Sequence, residues 1–433
     1  MEDQLRDVRS KTLEKSSVLD VIAKLEAVAA SAAEIRDMAD VKDADLQRAL
    51  SVVEDFLRDK RLIAYGGTAI NAHIPAKHKF YDFSVVLPDY DFFSPTAEVH
   101  ARELVDLLER AGLPDPALRP GMHEGTFKVY VKYTAVADCS QIEPWIFKKL
   151  QGRAHVVQGI YYADANFLRM QMYLELSRPR GEVERWAKVY KRLLLLNTFA
   201  PYKCKKTGPL KTRIRGQREG RNRTIVCPYY DECMDYVIDE GLIYAGSNVR
   251  RLYERPARRQ LTAFGRDRVP CIAYAADPEH HARMLEKILR KKRDRPFKLV
   301  RWDGRGDLVP ALVGLKDGDR IVALFVELGG CLSYNTLKMG RRALRIASLD
   351  TAIYLYFALM FVGGVDSLVE RSFMCAAEDL VHIALKTRDR GFEGVYDAFP
   401  VACMGHQARK ASLIREKVER IRKHRRHRTV KRG

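Results

Sequence analysis

Apolar residues change their period several times along the chain. From Val18 to Asp59 they recur at spacings of three and four, at Val18, Val21, Ile22, Leu25, Val28, Leu46, Leu50, Val53 and Leu57. That spacing predicts helices packed on a body by one face. Two short apolar runs, Arg61 to Thr68 and Gly241 to Ser247, each predict a strand that enters a helix through a small-residue turn. Gly125 to Tyr133 alternates, with Phe127, Val129, Val131 and Tyr133 on one face and Lys128, Tyr130 and Lys132 on the other, as a strand does. The Lys128 and Lys132 face fits either contact with nucleic acid or plain solvation. Thr351 to Val365 carries no charge but falls short of the roughly 20 residues of a membrane span, so it predicts a buried core helix.

These elements occur twice in one order. Arg61–Thr68 pairs with Gly241–Ser247, and Val99–Leu104 with His281–Leu285. Val136–Cys139 pairs with Leu328–Cys331, and Tyr162–Asn166 with Ser348–Ala352. An ordered set of matches predicts a duplicated unit of mixed α/β (α+β) class. The organisation is then a helical segment at 1–59 packed on the first unit, the first unit at 60–200 and a linker at 201–228. A second unit at 229–420 and a basic tail at 421–433 follow. The linker is rich in proline, glycine and basic residues, as exposed connections are.

Charge adds a partner class. Lys and Arg number 76 against 56 acidic residues, a formal charge of +20, and such a field draws polyanions. The excess is clustered at Lys203–Arg223, Arg290–Lys298 and Arg422–Arg432, and runs of this kind contact phosphates without reading sequence. No paired-aromatic RNA-recognition signature is present, nor the P-loop pattern of a kinase. The eight cysteines form no C-x-x-C pair, which argues against zinc and reads as reduced thiols in a reducing compartment. The N-terminus lacks the basic-then-apolar form of a secretory signal.

The candidate chemistry lies in the first unit. Gly66-Gly67-Thr68 follows a strand and opens a helix, where free N–H groups and the helix dipole suit a phosphate. Pro88-Asp-Tyr-Asp-Phe-Phe93 puts Asp89 and Asp91 on one side of an apolar strand. Two carboxylates placed together inside a fold are costly unless cations neutralise them. Asp138, in a neighbouring short strand, is the third candidate ligand. Lys188, on a later helix, is either a phosphate contact or a surface lysine.

Taken together, these motifs resemble the polymerase-β-type nucleotidyltransferase superfamily. More closely, Tyr65-Gly-Gly-Thr-Ala-Ile-Asn71, Pro88-Asp-Tyr-Asp-Phe-Phe-Ser94 and Glu124-Gly-Thr-Phe-Lys-Val-Tyr130 are similar to the catalytic poly(A) polymerases of large DNA viruses, mimivirus-like and poxvirus proteins included. The helix Met172–Pro179 and Arg185–Lys188 add to the likeness. The resemblance covers residues 60–200 by motif and the rest by duplicated architecture. Thr68 and Asp89 stand farther apart than in the wider superfamily, as in the viral group.

The resemblance implies a duplicated nucleotidyltransferase fold with a catalytic first unit and a degenerate second one. It implies template-independent addition of AMP from ATP to an RNA 3′ end. Asp89, Asp91 and Asp138 would hold two Mg²⁺ or Mn²⁺ ions, while Gly66, Gly67 and Thr68 cradle the β/γ-phosphates and Lys188 makes a further contact. It also implies a cytoplasmic setting, a virion or viral factory included, and allows a homodimer through the degenerate unit. No membrane role is expected. In the second unit the stretch matching Asp89 and Asp91 reads Cys271 to Asp277, and Gly330 falls where Asp138 should be. Adenine preference rests on the resemblance alone. A terminal nucleotidyltransferase for another base and a non-catalytic RNA-binding scaffold remain the competing readings.

Overall fold

The computed structural model describes residues 15–81, 87–204, 229–246, 248–254, 270–292, 296–304, 308–362, 367–390 and 396–430. Most of the basic linker, from Lys205 on, lies outside them, as do Arg293 and Arg295. The chain divides into two compact units, one formed by residues 1–142 and 156–162 and the other by 143–155 and 163–433.

The first unit opens with α1 (Lys15–Lys42) and α2 (Ala44–Lys60). Asp43 separates them and caps α2, its carboxylate accepting from the N–H groups of Asp45 (2.9 Å) and Leu46 (3.2 Å). Such a cap satisfies two otherwise orphaned donors. α2 buries Leu46, Leu50, Val53, Phe56 and Leu57, as its spacing predicts. The one-face packing expected of the preceding helix is not found: Val21, Leu25 and Val28 on α1 are 54%, 63% and 65% exposed. Spacing determines which residues share a face, not whether a neighbour covers it.

Next come β1 (Ile63–Ala64), α3 (Gly66–Ala72), β2 (Tyr90–Ser94), α4 (Ala97–Arg110), β3 (Ala117–Pro120), β4 (Thr126–Val131) and β5 (Thr134–Gln141). After α5 (Pro144–Gln151), which belongs to the second unit, β6 (His155–Val157) and β7 (Ile160–Tyr162) complete a seven-stranded sheet of order β3-β4-β5-β2-β1-β7-β6. β2 and β5 run parallel at its centre, and β4 returns antiparallel to β5 with a register shift between Val129 and Tyr130.

The second unit contains α6 (Ala165–Leu176), α7 (Trp186–Phe199), α8 (Tyr230–Asp239), β8 (Ile243–Tyr244), α9 (Asn248–Glu254), β9 (Cys271–Ala275) and α10 (Pro278–Arg290). It continues with β10 (Lys298–Trp302), β11 (Leu312–Asp317), β12 (Arg320–Glu327), β13 (Leu332–Met339) and β14 (Arg342–Ala347). α11 (Leu349–Val362), α12 (Ser367–Arg390), β15 (Cys403–Met404) and α13 (Lys410–Val430) close it. Its sheet order, β10-β11-β12-β9-β8-β14-β13, repeats that of the first unit strand for strand, with β15 added at the edge. Even the register shift recurs, between Leu315 and Lys316. The uncharged run forms α11, every residue of which is buried, with Phe361 edge-on to Phe167 of α6 at 5.1 Å. Part of the expected basic tail is helical, because α13 continues to Val430.

Strand pairing makes the duplication residue-exact and corrects two of the four sequence matches. Ala64 opposes Phe92 and Tyr244 opposes Ala273, so Phe92 and Ala273 correspond. Phe92 lies beside Cys139 and Ala273 beside Phe325. The counterpart of Cys139 is therefore Phe325 rather than Cys331, and that of Asp138 is Leu324 rather than Gly330. Likewise Asp164 caps α6 and Ser348 caps α11, so those two correspond, not Asp164 and Asp350. Short letter matches beyond a strand end do not carry register, whereas backbone hydrogen bonds do. The Arg61–Gly241 and His100–His281 matches hold. Arg61 and Gly241 both follow a helix with positive φ, and His100 and His281 both sit edge-on to an aromatic ring, Phe56 of α2 and Tyr236 of α8.

The cysteines also depart from expectation. Cys331 is bonded to Cys403 and Cys204 to Cys375. Cys139, Cys233 and Cys271 are buried and take part in neither bond. The bonded pairs are 72 and 171 residues apart in sequence, so no local spacing reveals them.

Candidate catalytic carboxylate site

The site is built where β1 turns into α3, beside the leading end of β2. Gly66 has φ +70, a left-handed conformation that glycine adopts without steric cost. A Cβ there would also overlap the Asp91 carboxylate, so the turn and the acidic strand are in direct contact. At Gly67 a Cβ would come within 2.5 Å of the Tyr81 ring. Tyr65 anchors the turn: its N–H donates to the Asp91 carbonyl (2.8 Å), its ring stacks on Phe93 (3.9 Å), and its hydroxyl shares a hydrogen bond with Ser140 (2.9 Å). Asn71 at the far end of α3 ties down the following loop by accepting from the Phe80 N–H (3.0 Å) and donating to the Tyr81 carbonyl (3.2 Å). Thr68 is buried, and its hydroxyl donates back to the Tyr65 carbonyl at 3.4 Å.

Asp91 lies directly beside Asp138 across the parallel β2–β5 pair, and Asp89 precedes β2 by one residue. Paired residues of adjacent strands project to the same face. Asp89, Asp91 and Asp138 accordingly each offer an oxygen within 4.8 Å of the others. Asp138 is buried, Asp91 half-buried and Asp89 exposed. Crowding around the Asp89 carboxyl, then the Asp138 charge, push it up to about 6 against an opposing Lys128, though water at this open residue weakens the first of these causes.

The sequence puts Lys128 on a polar face read as facing nucleic acid or solvent, and does not show its partner within the fold. Lys128 stands opposite Asp138 in the antiparallel β4–β5 pair, and its ammonium bonds Asp138 Oδ2. Burial pulls the lysine down, but its bond to Asp138 and the Asp138 and Asp89 charges hold it above the ordinary lysine value. The strand register alone could have exposed this pairing. Asp138 Oδ1 is buried with no hydrogen-bond partner. A buried carboxylate oxygen without a donor is costly, and a cation satisfies it. Three hard oxygen donors on one face, one of them orphaned, fit a Mg²⁺- or Mn²⁺-type ion.

Lys188 lies apart from these groups in the chain's division, on α7 of the second unit, exposed and shifted below the usual lysine value by burial and by Arg192 and Arg185. In the second unit the carboxylate positions read Ile272 for Asp91 and Leu324 for Asp138, both buried. Asp277 has a structural role, capping α10 through the His280 N–H at 2.9 Å.

The fold is of nucleotidyltransferase type. The structure of the Megavirus polyadenylate synthase matches it with a TM-score of 0.74 at 18% identity, over 96% of this chain and 84% of that one. Residues 51–182 match the family model described as poly(A) polymerase catalytic subunit. An Acanthamoeba polyphaga mimivirus protein, named as a candidate poly(A) polymerase catalytic subunit, is 26% identical over 151 residues, 34% of this chain and 25% of its own length. An African swine fever virus protein (strain Badajoz 1971 Vero-adapted) with the same name is 29% identical over 163 residues, 36% of this chain and 34% of its own. The chain thus matches a quarter to a third of the length of these relatives, and residues 51–182, which match the family model, contain both the Gly-Gly-Thr turn and all three aspartates.

Proposed function

We propose that the protein is a polynucleotide adenylyltransferase that adds AMP from ATP to RNA 3′ ends without a template. The observation that carries this reading is the gathering of Asp89, Asp91 and Asp138 within 4.8 Å, with an orphaned oxygen on the buried member. These residues would hold two Mg²⁺ or Mn²⁺ ions. Bound there, such cations supply Lewis-acid activation of a 3′-hydroxyl and neutralise a departing pyrophosphate. Gly66 and Gly67 let phosphate approach the first turn of α3, with Thr68 fixing that turn through Tyr65. Lys128 holds Asp138 in place from the neighbouring strand. Among the described residues no helix is long and apolar enough to cross a membrane. The cytoplasm of an infected cell is the setting that the viral relatives suggest, and the comparisons lend the homodimer no support.

Primer extension on a short RNA with one nucleoside triphosphate at a time, in Mg²⁺ or Mn²⁺, tests the proposal. Long tails with ATP in the wild type, absent in Asp89→Ala/Asp91→Ala, are expected. Equal extension with another base would move the assignment to a different terminal transferase. No extension with any base would count against catalysis.

A further inference from the structure

The register of the first sheet extends the acidic pair into a four-strand row. Asp91 on β2 lies beside Asp138 on β5, Asp138 opposite Lys128 on β4, and Lys128 opposite Arg119 on β3. Laterally paired residues share a face, so all four side chains project on the side that carries the carboxylates. Arg119 is exposed and makes no ion pair among the described residues, and its guanidinium lies over the Tyr130 ring at 4.9 Å. Strands are about 4.8 Å apart, which puts the Arg119 backbone about 10 Å from that of Asp138.

The second unit supplies an internal control. The same pairing rules give Val300 for Arg119, Gly314 for Lys128, Leu324 for Asp138 and Ile272 for Asp91. All four polar members are replaced together while the strands, their order and the register shift are kept. Arg119 is exposed, so nothing in the packing of its own strand requires it. Its loss along with the carboxylates fits a group that serves the same reaction.

We propose that Arg119 and Tyr130 form a stacking platform for the 3′-terminal nucleotide of the RNA acceptor, a reading that rests on the adenylyltransferase assignment above. The Gly-Gly-Thr turn lies on the β1 side of the carboxylates and suits the triphosphate. The opposite side, β4 and β3, is then open to the acceptor. A polyanion approaching three carboxylates needs cations on its own side, and Lys128 is already committed to Asp138. Arg119 offers N–H donors for a phosphate and a plane for a base, and Tyr130 steadies that plane from beneath. Stacking of this kind accepts any base, as a tail-extending enzyme requires.

The test is binding of a 5′-fluorescein-labelled oligoadenylate RNA, followed by anisotropy in EDTA without ATP, together with separate KM values for RNA and ATP. Arg119→Ala and Tyr130→Ala should weaken RNA binding roughly 5- to 100-fold and raise the KM for RNA, with the KM for ATP moving less than about twofold. Tyr130→Phe keeps the ring and should recover most of the RNA binding that Tyr130→Ala loses, while Arg119→Lys keeps the charge, loses the plane and should recover only part of the loss. If Tyr130→Ala does not fold, Arg119→Ala, at an exposed position, decides alone. Unchanged RNA binding, or a rise in the KM for ATP instead, overturns the platform. Wild-type protein that binds RNA in an Arg119-dependent way yet adds no nucleotide would retain the platform as an RNA site and sink the polymerase assignment.

Discussion

Lys128→Met should destabilise the protein without metal and make it depend on added cations. Lys128 and Asp138 are 34% and 12% exposed at their side chains, so the pair is neither a surface bridge nor fully enclosed. Surface pairs are worth about 0–1 kcal/mol, and breaking a buried one costs about 3–5 kcal/mol. Discounted for the exposure of the lysine, the loss should be about 1–3 kcal/mol, because Asp138 keeps a charge among Asp89 and Asp91 with no ammonium beside it. In a folding unit of this size that corresponds to a Tm lower by roughly 2–12 °C in EDTA.

Mn²⁺ should close most of that gap. A cation at 100 times its Kd stabilises the folded protein by about 2.7 kcal/mol. The gain should be larger in Lys128→Met, where no ammonium already offsets the negative charge of the three carboxylates. Differential scanning fluorimetry in EDTA, Mg²⁺ and Mn²⁺ measures it, with Mn²⁺ binding followed by electron paramagnetic resonance. An equal Tm for wild type and variant in EDTA would refute the electrostatic reasoning. An undiminished Mn²⁺ gain in Asp89→Ala/Asp91→Ala would refute the placement of the cations.

Two further outcomes follow from other parts of the molecule. Burial, with Lys60 adding and Glu103 opposing, holds His100 below the ordinary histidine value of 6.5, so the unfolded chain takes the proton first. Stability should therefore fall as pH drops from about 7.5 to about 5.5, and His100→Asn should flatten part of that slope, with His281 accounting for another part. An unchanged Tm-against-pH slope in the variant would remove His100 as a cause. The disulfides set a simpler limit: eight cysteines less the four in two bonds leave at most four titratable thiols in denatured, unreduced protein. Ellman titration giving eight would reject both bonds.

Much of this architecture is legible in the sequence, and the failures share one cause. The alternation over Thr126–Val131, the helical spacing of α2 and the uncharged run that became α11 all depend on local periodicity, although the strand expected to reach Tyr133 stops at Val131, where Lys132 and Tyr133 turn with positive φ. Local patterns also put Asp89 and Asp91 on one face. What could not be read is whatever depends on which strand lies beside which. The Lys128–Asp138 contact, the Leu324 counterpart and the Cys331–Cys403 bond are all products of pairing between distant segments. The exposed apolar residues of α1 belong to the same group, because a periodic face does not name its neighbour.

Register also changes what the duplication means for function. Read by letter matching, the second unit has Gly-Gly-Cys where the first has Ala-Asp-Cys, with Gly330 in the place of Asp138. Read by pairing, Leu324 and Ile272 sit in the two central strands with relative exposures of 0%, inside a packed core. Restoring Asp at either place would bury an unpaired charge, at a cost well beyond that of a surface substitution. The Tyr244 hydroxyl also crowds the Gly246 turn, where a Cβ would come within 2.5 Å of it, and Asn248, in the place of Thr68, donates to Tyr230 at 2.9 Å. The second unit therefore has buried apolar side chains where the first has its carboxylates. Its sheet retains the shape of a nucleotidyltransferase, while the chemistry proposed here rests on the open, charged row of the first.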